Sequence, residues 1–308
     1  MKMKKFMQCI VAAGLSLALF VGCSSGEKAS EGATASDSAA SEAPTADETE
    51  TENAETSESA EAEAPADGAG TTLEDIKTKG ELVIGLDDTF APMGFHDTDG
   101  TLVGFDIDLG EAVCAELGIQ ATFQPIDWNS KEMELSSGNI DCIWNGMSAT
   151  PERQQSMSLS QPYLNNKIIV MTNEGVTIAS KEDMANFNIG IQGGSAALEA
   201  VQNDSIYESI KDKITEYPTY DEVIMDIEAG RLDCMVIDEV FGNYKNAKLD
   251  NKFGTAEFDF GDDLYAIGFR KGDTELTESI NQALNTLIEN GKAAEISDKW
   301  FGKDLVIS

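Results

Sequence analysis

Asn145-Gly146-Met147-Ser148-Ala149-Thr150-Pro151-Glu152-Arg153 joins an apolar run, Ile140-Asp141-Cys142-Ile143-Trp144, to the start of a helix. The run reads as a buried strand over Ile140–Trp144 that passes into a glycine turn. Thr150 is a good N-cap and Pro151 is best tolerated at the first helical position, so Arg153 falls in the first turn. The partial positive charge of a helix start opposes a guanidinium there, and an anion beside it would relieve the conflict. A carboxylate suits the planar fork of donors best. Taken by itself, an arginine near a helix start is more often a solvated surface residue.

Upstream of this stretch, strands and helices alternate. Leu82-Val83-Ile84-Gly85-Leu86 is a short apolar strand that delivers Asp87, Asp88 and Phe90 to a loop ending at Pro92, and strand ends of this kind carry ligands in α/β sheets. Asp97-Thr98-Asp99-Gly100 resembles part of a calcium loop, but Phe95 stands where the first ligand belongs, and Asp-Gly between extended segments signals a hairpin turn. Phe105, Leu109, Val113 and Leu117 recur every four residues on a predicted helix closed by Gly118. A strand over residues 121–126 leads to Asp127-Trp128, and a helix over Glu132–Ser137, ended by Gly138, precedes the opening strand. The alternation predicts a mostly parallel sheet covered by helices.

Downstream, Ile168-Ile169-Val170-Met171 is extended in character and is expected to leave the first lobe. A second series begins with Phe187-Asn188-Ile189-Gly190-Ile191 and the turn Gln192-Gly193-Gly194-Ser195. Ser195 near the cap of an alanine-rich helix leaves backbone N–H groups available to an anion, although a plain glycine turn reads the same way. Gly230-Arg231-Leu232-Asp233-Cys234 follows a helix over Ile224–Ala229 and echoes Gly138-Asn139-Ile140-Asp141-Cys142, a short repeat consistent with two similarly built lobes. Asp238 ends the apolar run Met235-Val236-Ile237, where a turn former is the usual occupant. Leu264–Phe269 reads as a return strand to the first lobe, followed by an amphipathic helix over Leu276–Gly291 and a last segment around Trp300-Phe301-Gly302.

The amino-terminal 70 residues have another character. Met1-Lys2-Met3-Lys4-Lys5 and the apolar run Phe6–Val21 read as a secretory signal, too short to span a bilayer comfortably. Residues 24–70 hold thirteen acids against the single base Lys28 and almost nothing that builds a core, as expected of a solvated, disordered linker. About 238 residues then remain, enough for two lobes with their own cores. A net charge of −35 argues against nucleic acid and anionic lipid as partners. Cys114, Cys142 and Cys234 fall at apolar positions and read as buried thiols, and without a Cys-x-x-Cys pair no thiolate metal site is expected. His96 is the one histidine, so any triad would need it as base.

Ser148-x-Thr150-x-Glu152-Arg153 after a short strand, with Leu159-Ser160-Gln161-Pro162-Tyr163 following, resembles the signature of solute-binding proteins that feed amino acids to ABC importers. The resemblance covers nearly all of residues 73–308. Phe20-Val21-Gly22-Cys23 likewise resembles a bacterial lipoprotein processing site, with Phe20 in place of the usual leucine, and implies lipidation at Cys23. An ordinary signal peptide cut near Gly22 would leave Cys23 free.

The family resemblance implies an α/β, two-lobed, type II periplasmic-binding-protein-like fold with a hinged cleft. Its expected divisions are a signal peptide over 1–22, the lipidated cysteine and linker over 23–70, and lobe 1 over 71–170. Lobe 2 follows over 171–266, and a return segment of lobe 1 over 267–308. The hinges are expected near Lys167–Asn173 and Tyr265–Arg270. The resemblance also assigns roles. Arg153 would clamp the ligand's α-carboxylate, helped by Ser148, the backbone near Gly146, and Ser195 from the second lobe. Asp238 would pair with the α-ammonium, Phe90 and Trp128 would sandwich the side chain, Asp87 would make a polar contact to the ligand, and Gln192 falls where the family varies with ligand type. Phe90 and Trp128 read equally well as core residues.

The implied function is capture of an amino acid and its delivery to a membrane permease by an exported, lipid-anchored or periplasmic monomer, without cofactor or metal. The extra acids Asp88 and Glu239 near the expected pocket lean toward a polar or cationic amino acid. Rival classes are a dehydratase on the same scaffold, using Asp87, Asp88 or Glu239 as its acid or base, and a surface adhesion lipoprotein. A sensor-kinase receptor domain is disfavoured by the end of the sequence at Ser308 with no signalling segment.

Overall fold

The computed structural model describes residues 70–307. The expected signal peptide, Cys23 and the linker up to residue 69 lie outside the described residues. The chain begins with α1 (Leu73–Lys79), whose Thr72 cap and Asp75 exchange hydrogen bonds in a capping box, and Gly80 closes it in the left-handed region. Next come β1 (Glu81–Leu86), β2 (Thr89–Phe90), β3 (Gly94–His96), β4 (Leu102–Val103), α2 (Phe105–Leu117), β5 (Gln120–Pro125), α3 (Lys131–Ser136) and β6 (Cys142–Ile143). α4 (Pro151–Ser156) and β7 (Ser158–Leu159) complete the first run. The second comprises β8 (Leu164–Thr172), β9 (Ile189–Gln192), α5 (Ala196–Asn203), α6 (Tyr207–Ile210), β10 (Ile214–Tyr217), α7 (Tyr220–Glu228), β11 (Cys234–Asp238), α8 (Glu239–Lys248) and β12 (Gly254–Tyr265). β13 (Gly268–Phe269), α9 (Thr274–Glu289) and α10 (Lys292–Phe301) return to the first lobe.

Two five-stranded sheets result, ordered β5-β1-β6-β13-β7 and β10-β9-β11-β8-β12. In the first, β1 is parallel to β5 and β6, while β13 is antiparallel to β6 and β7. The second repeats the scheme, with β9 parallel to β10 and β11, and β8 antiparallel to β11 and β12. Each parallel trio is thus continued by one strand that runs against it and a last strand that runs with it again. β2, β3 and β4 form the expected hairpin layer, with Gly100 at positive φ in its turn.

The first sheet is covered by α2, α9 and α10 through Leu109, Val113, Leu276, Ile280, Leu284 and Ile296, all buried. Each fully buried side chain of this kind contributes about 1.5–3 kcal/mol of burial free energy. The three cysteines expected to be buried thiols are free and buried.

Three boundaries differ from expectation. The strand predicted over Ile140–Trp144 pairs only at Cys142–Ile143, because Asn145 and Gly146 already turn toward the cleft. The limit of lobe 1 at residue 170 and the hinge at Lys167–Asn173 fall inside β8, which is paired along its whole length within the second sheet. Correspondingly, Leu264 and Tyr265 still belong to β12 and pair with Asn165 and Leu164, so the return strand is only Gly268–Phe269. The chain changes sheets at Tyr163–Leu164 and at Ala266–Ile267. An apolar run buried on both faces carries no mark of which sheet it joins.

Candidate ligand-binding site

The parallel strands of both sheets aim their carboxyl ends at one crevice, and the expected residues sit there. Asp87 follows β1, Gln192 ends β9 and Asp238 ends β11, while Gly146 and Ser148 follow β6. Trp128 lies in a single 3-10 turn, Trp128–Ser130, capped by Asp127. All nine positions expected to bind ligand line one cavity between the lobes, joined by Asn145 and Ala196.

Thr150 caps α4 as expected, its hydroxyl accepting the Arg153 N–H, with Pro151 at the first position. The Arg153 side chain turns inward and the residue is 4% exposed. Its Nη1 donates to the Ser148 carbonyl at 3.0 Å and its Nη2 to the Gly194 carbonyl of the other lobe at 3.2 Å. Among the described residues no carboxylate forms an ion pair with it.

Asp238, 5% exposed, is held by neutral donors: the Asn166 amide at 2.7 Å and the Tyr265 hydroxyl at 2.9 Å both reach Oδ1. Burial first, and the charge of Asp263 second, push its carboxyl up to about 7. Asp263 in turn accepts from the Ser148 hydroxyl at 2.6 Å and from the same Asn166 amide at 2.9 Å.

Asp87 accepts from the Thr89 N–H at 2.9 Å, the Thr89 hydroxyl at 2.6 Å and the Gln192 amide at 2.8 Å, and burial raises its pKa. Gln192 also donates to the Pro218 carbonyl at 2.9 Å. The Phe90 ring stacks on Phe241 with centroids 4.9 Å apart, and Trp128 is likewise buried, so both aromatics are core on one face and cavity wall on the other. Gly146 has φ +56°, and a Cβ there would stand 2.9 Å from the Tyr265 ring, which explains a glycine at this wall. Its N–H donates to the buried Asp106 at 2.7 Å.

Other placements differ from the reading of the sequence. The hydroxyls of Ser148 and Ser195 are already engaged, the first with Asp263 and the second as N-cap of α5, accepting from Leu198 N–H. Asp88 points away to His96, 2.9 Å distant, and neither it nor Glu239 lines the cavity. Of the carboxylates weighed for catalysis only Asp87 reaches it. Sequence reasoning missed Asn166 and Tyr265, which hold Asp238, and Asn145, whose Oδ1 accepts the Asp87 N–H at 3.1 Å. Two polar residues, Asn165 and Asn166, at the head of an apolar strand were the available signal for Asn166.

The cavity measures about 10 Å³, the space of one water, so any larger ligand enters only when the lobes part. The hydrogen bonds Gln192–Asp87 and Arg153–Gly194 join the lobes across it, while Arg153 and Asp238 form no direct pair.

The family model of bacterial extracellular solute-binding proteins, family 3, matches residues 82–303. The chain belongs to this family. A Streptococcus pneumoniae ABC uptake transporter substrate-binding protein, solved with bound histidine, is 38% identical; it superposes with a TM-score of 0.73 over 76% of this chain and 98% of that one. An L-arginine-binding protein of Pseudomonas aeruginosa is 30% identical, covering 72% of this chain and 88% of its own length. An L-cystine-binding protein of Escherichia coli is 26% identical, covering 76% and 87%. The two lobes are those of a type II periplasmic-binding-protein fold. Among the described residues no helix is long and apolar enough to cross a membrane.

Proposed function

We propose that the protein captures a single α-amino acid between its lobes and hands it to an ABC permease in the membrane. The observation that carries this is the pair Arg153 and Asp238: opposite charges, both buried, in one cavity, held by neutral groups and not by each other. The ligand's α-carboxylate takes the guanidinium fork and its α-ammonium takes Asp238. Phe90 and Trp128 flank the side chain, which reaches Asp87 once the ligand has displaced the Gln192 amide.

With Asp87 and Asp238 against Arg153, the wall carries one more negative than positive charge when all three are ionised. A zwitterion adds no net charge and leaves Asp87 unmatched, so a basic amino acid completes the balance. Binding of arginine or histidine by relatives supports this class. Asp87 is held by three donors and is poorly placed to move protons, which weighs against a dehydratase. Cys23 would tether the protein outside the cytoplasmic membrane through an attached lipid.

The test is thermal unfolding against the twenty common L-amino acids, using protein first unfolded and refolded to remove what it carries. A ligand at 100 times its dissociation constant adds about 2.7 kcal/mol, a rise of roughly 5–10 °C at this size. A shift with a small group of amino acids, lost in Arg153→Ala, is expected; no shift with any of them refutes the proposal.

A further inference from the structure

Lys131 opens α3 with its side chain only 4% exposed. Its Nζ donates to the Trp128 carbonyl at 3.2 Å and, across the cleft, to the Gly194 carbonyl at 3.0 Å. Arg153 Nη2 donates to that same Gly194 oxygen. Two cations of the first lobe therefore converge on one neutral oxygen of the second. Among the described residues the only carboxylate that reaches Lys131 is Glu132, at 4.0 Å, with a side chain 60% exposed.

The contact forms only when the cleft is closed. Gly193 and Gly194 come so close to the first lobe that a Cβ on either would stand 2.8 or 3.0 Å from the Asn129 side-chain oxygen. The charged groups facing Lys131 are Arg153 on α4, Glu132 beside it on α3, Glu199 on α5 and Asp127 at the preceding turn. Burial and the Arg153 charge outweigh the three acids and push the ammonium down to about 8. Closure thus withdraws two like charges from water onto a single dipole, a cost that an entering anion removes.

We infer that Lys131 is a positioning residue that makes closure of the cleft conditional on a carboxylate in the ligand. It does not line the cavity and acts through Gly194 and Arg153. The inference rests on the amino-acid reading given above. It adds that an amide or a decarboxylated amine of the same side chain is refused because the lobes cannot close over it cheaply, beyond the loss of its own contact to Arg153.

The experiment measures affinities by calorimetry on the full-length protein. The probes are the common L-amino acid that binds tightest and its carboxamide, against wild type, Lys131→Met, Lys131→Gln and Lys131→Arg. The acid-over-amide ratio should fall by about tenfold or more in Lys131→Met and Lys131→Gln, chiefly because the amide binds better, and should persist in Lys131→Arg. A second readout needs no variant to fold. The ammonium is harder to protonate in the closed state than in the open one, so withdrawing protons favours closure. The radius of gyration of ligand-free wild type, from small-angle scattering, should therefore decrease between pH 7 and pH 9.5. A ratio in the neutral variants within twofold of wild type, or a radius that does not change with pH, overturns the role of Lys131 while leaving amino-acid binding intact. Failure of wild type to bind any amino acid overturns the reading beneath it.

Discussion

Gln192 donates its side-chain amide to Asp87 across the cleft at 2.8 Å, and the two residues occupy matching places, each at the carboxyl end of the central strand of its parallel trio. The bridge satisfies a buried carboxylate with a neutral donor, which a ligand's cationic group can replace with a stronger one. Asp87→Asn keeps the shape and removes the charge. Affinity for arginine, lysine or histidine should fall by about 10–100-fold, the worth of a charge-assisted hydrogen bond, while neutral amino acids lose much less. Calorimetry with both classes checks this; an equal loss for both would place Asp87 in the scaffold and not in selection.

Arg153 offers a sharper test of geometry. Lysine keeps its charge and loses the fork, so Arg153→Lys should weaken amino-acid binding by at least about tenfold, and Arg153→Ala by more. The wild-type side chain also satisfies the carbonyls of Ser148 and Gly194, so both variants should unfold at slightly lower temperature. Wild-type affinity in Arg153→Lys would mean that the guanidinium only braces the turn.

Acidity should act on the site through Asp238 and on the whole fold through its neighbours. Asp238 and Asp106 are each pushed up to about 7 by burial, and burial raises Asp87 as well. A carboxyl whose folded pKa exceeds its unfolded value binds more protons in the folded state, so its contribution to stability declines as pH rises from about 4 to 7. His96, raised by its hydrogen bond to Asp88, adds a loss of the same sign at somewhat higher pH. The ligand-free protein should therefore melt higher at pH 5 than at pH 7.5, and Asp238→Asn should shrink the difference. Binding runs the other way. The ligand's ammonium needs the ionised carboxylate, so affinity should drop as pH falls below about 7, approaching tenfold per unit. An affinity that stays level from pH 7.5 to pH 5.5 would refute the pairing.

Much of the site could be read because a polar residue ending an apolar strand, as at Asp87, Gln192 and Asp238, shows directly in the sequence, and the Thr150-Pro151 cap directs Arg153 inward. The supports could not be read in the same way. Asn166 and Tyr265 meet Asp238 only because β8 and β12 pair antiparallel in a register that shifts around Asp259 and Gly261. No periodicity reveals such a shift. Nothing in the local sequence marks Lys131 as buried, since its burial depends on the Gly194 carbonyl of the other lobe. The first crossing point is expected too late in the chain for the same reason: only tertiary pairing tells which sheet the apolar run Ile168–Met171 serves.

The short echo between the halves carries a measurable asymmetry. Asp141 accepts the Val83 N–H at 2.7 Å while its own N–H donates to the Val83 carbonyl at 2.8 Å. Asp233 repeats both bonds with Asn188, at 2.7 and 2.9 Å, so the shared phrase locks each helix-to-strand passage onto the neighbouring strand. The surroundings differ. The Asp141 side chain is 8% exposed and also receives Lys79 Nζ at 2.8 Å, whereas the Asp233 bond lies at the surface. Removing a buried, paired carboxylate leaves its donors stranded, at a cost of about 3–5 kcal/mol, while an exposed hydrogen bond is worth about 0.5–1.5 kcal/mol. Urea unfolding of Asp141→Ala should thus show a loss at least about 1 kcal/mol larger than that of Asp233→Ala. Equal losses would mean that Lys79 contributes little and that the two passages are held by the same pair of backbone bonds.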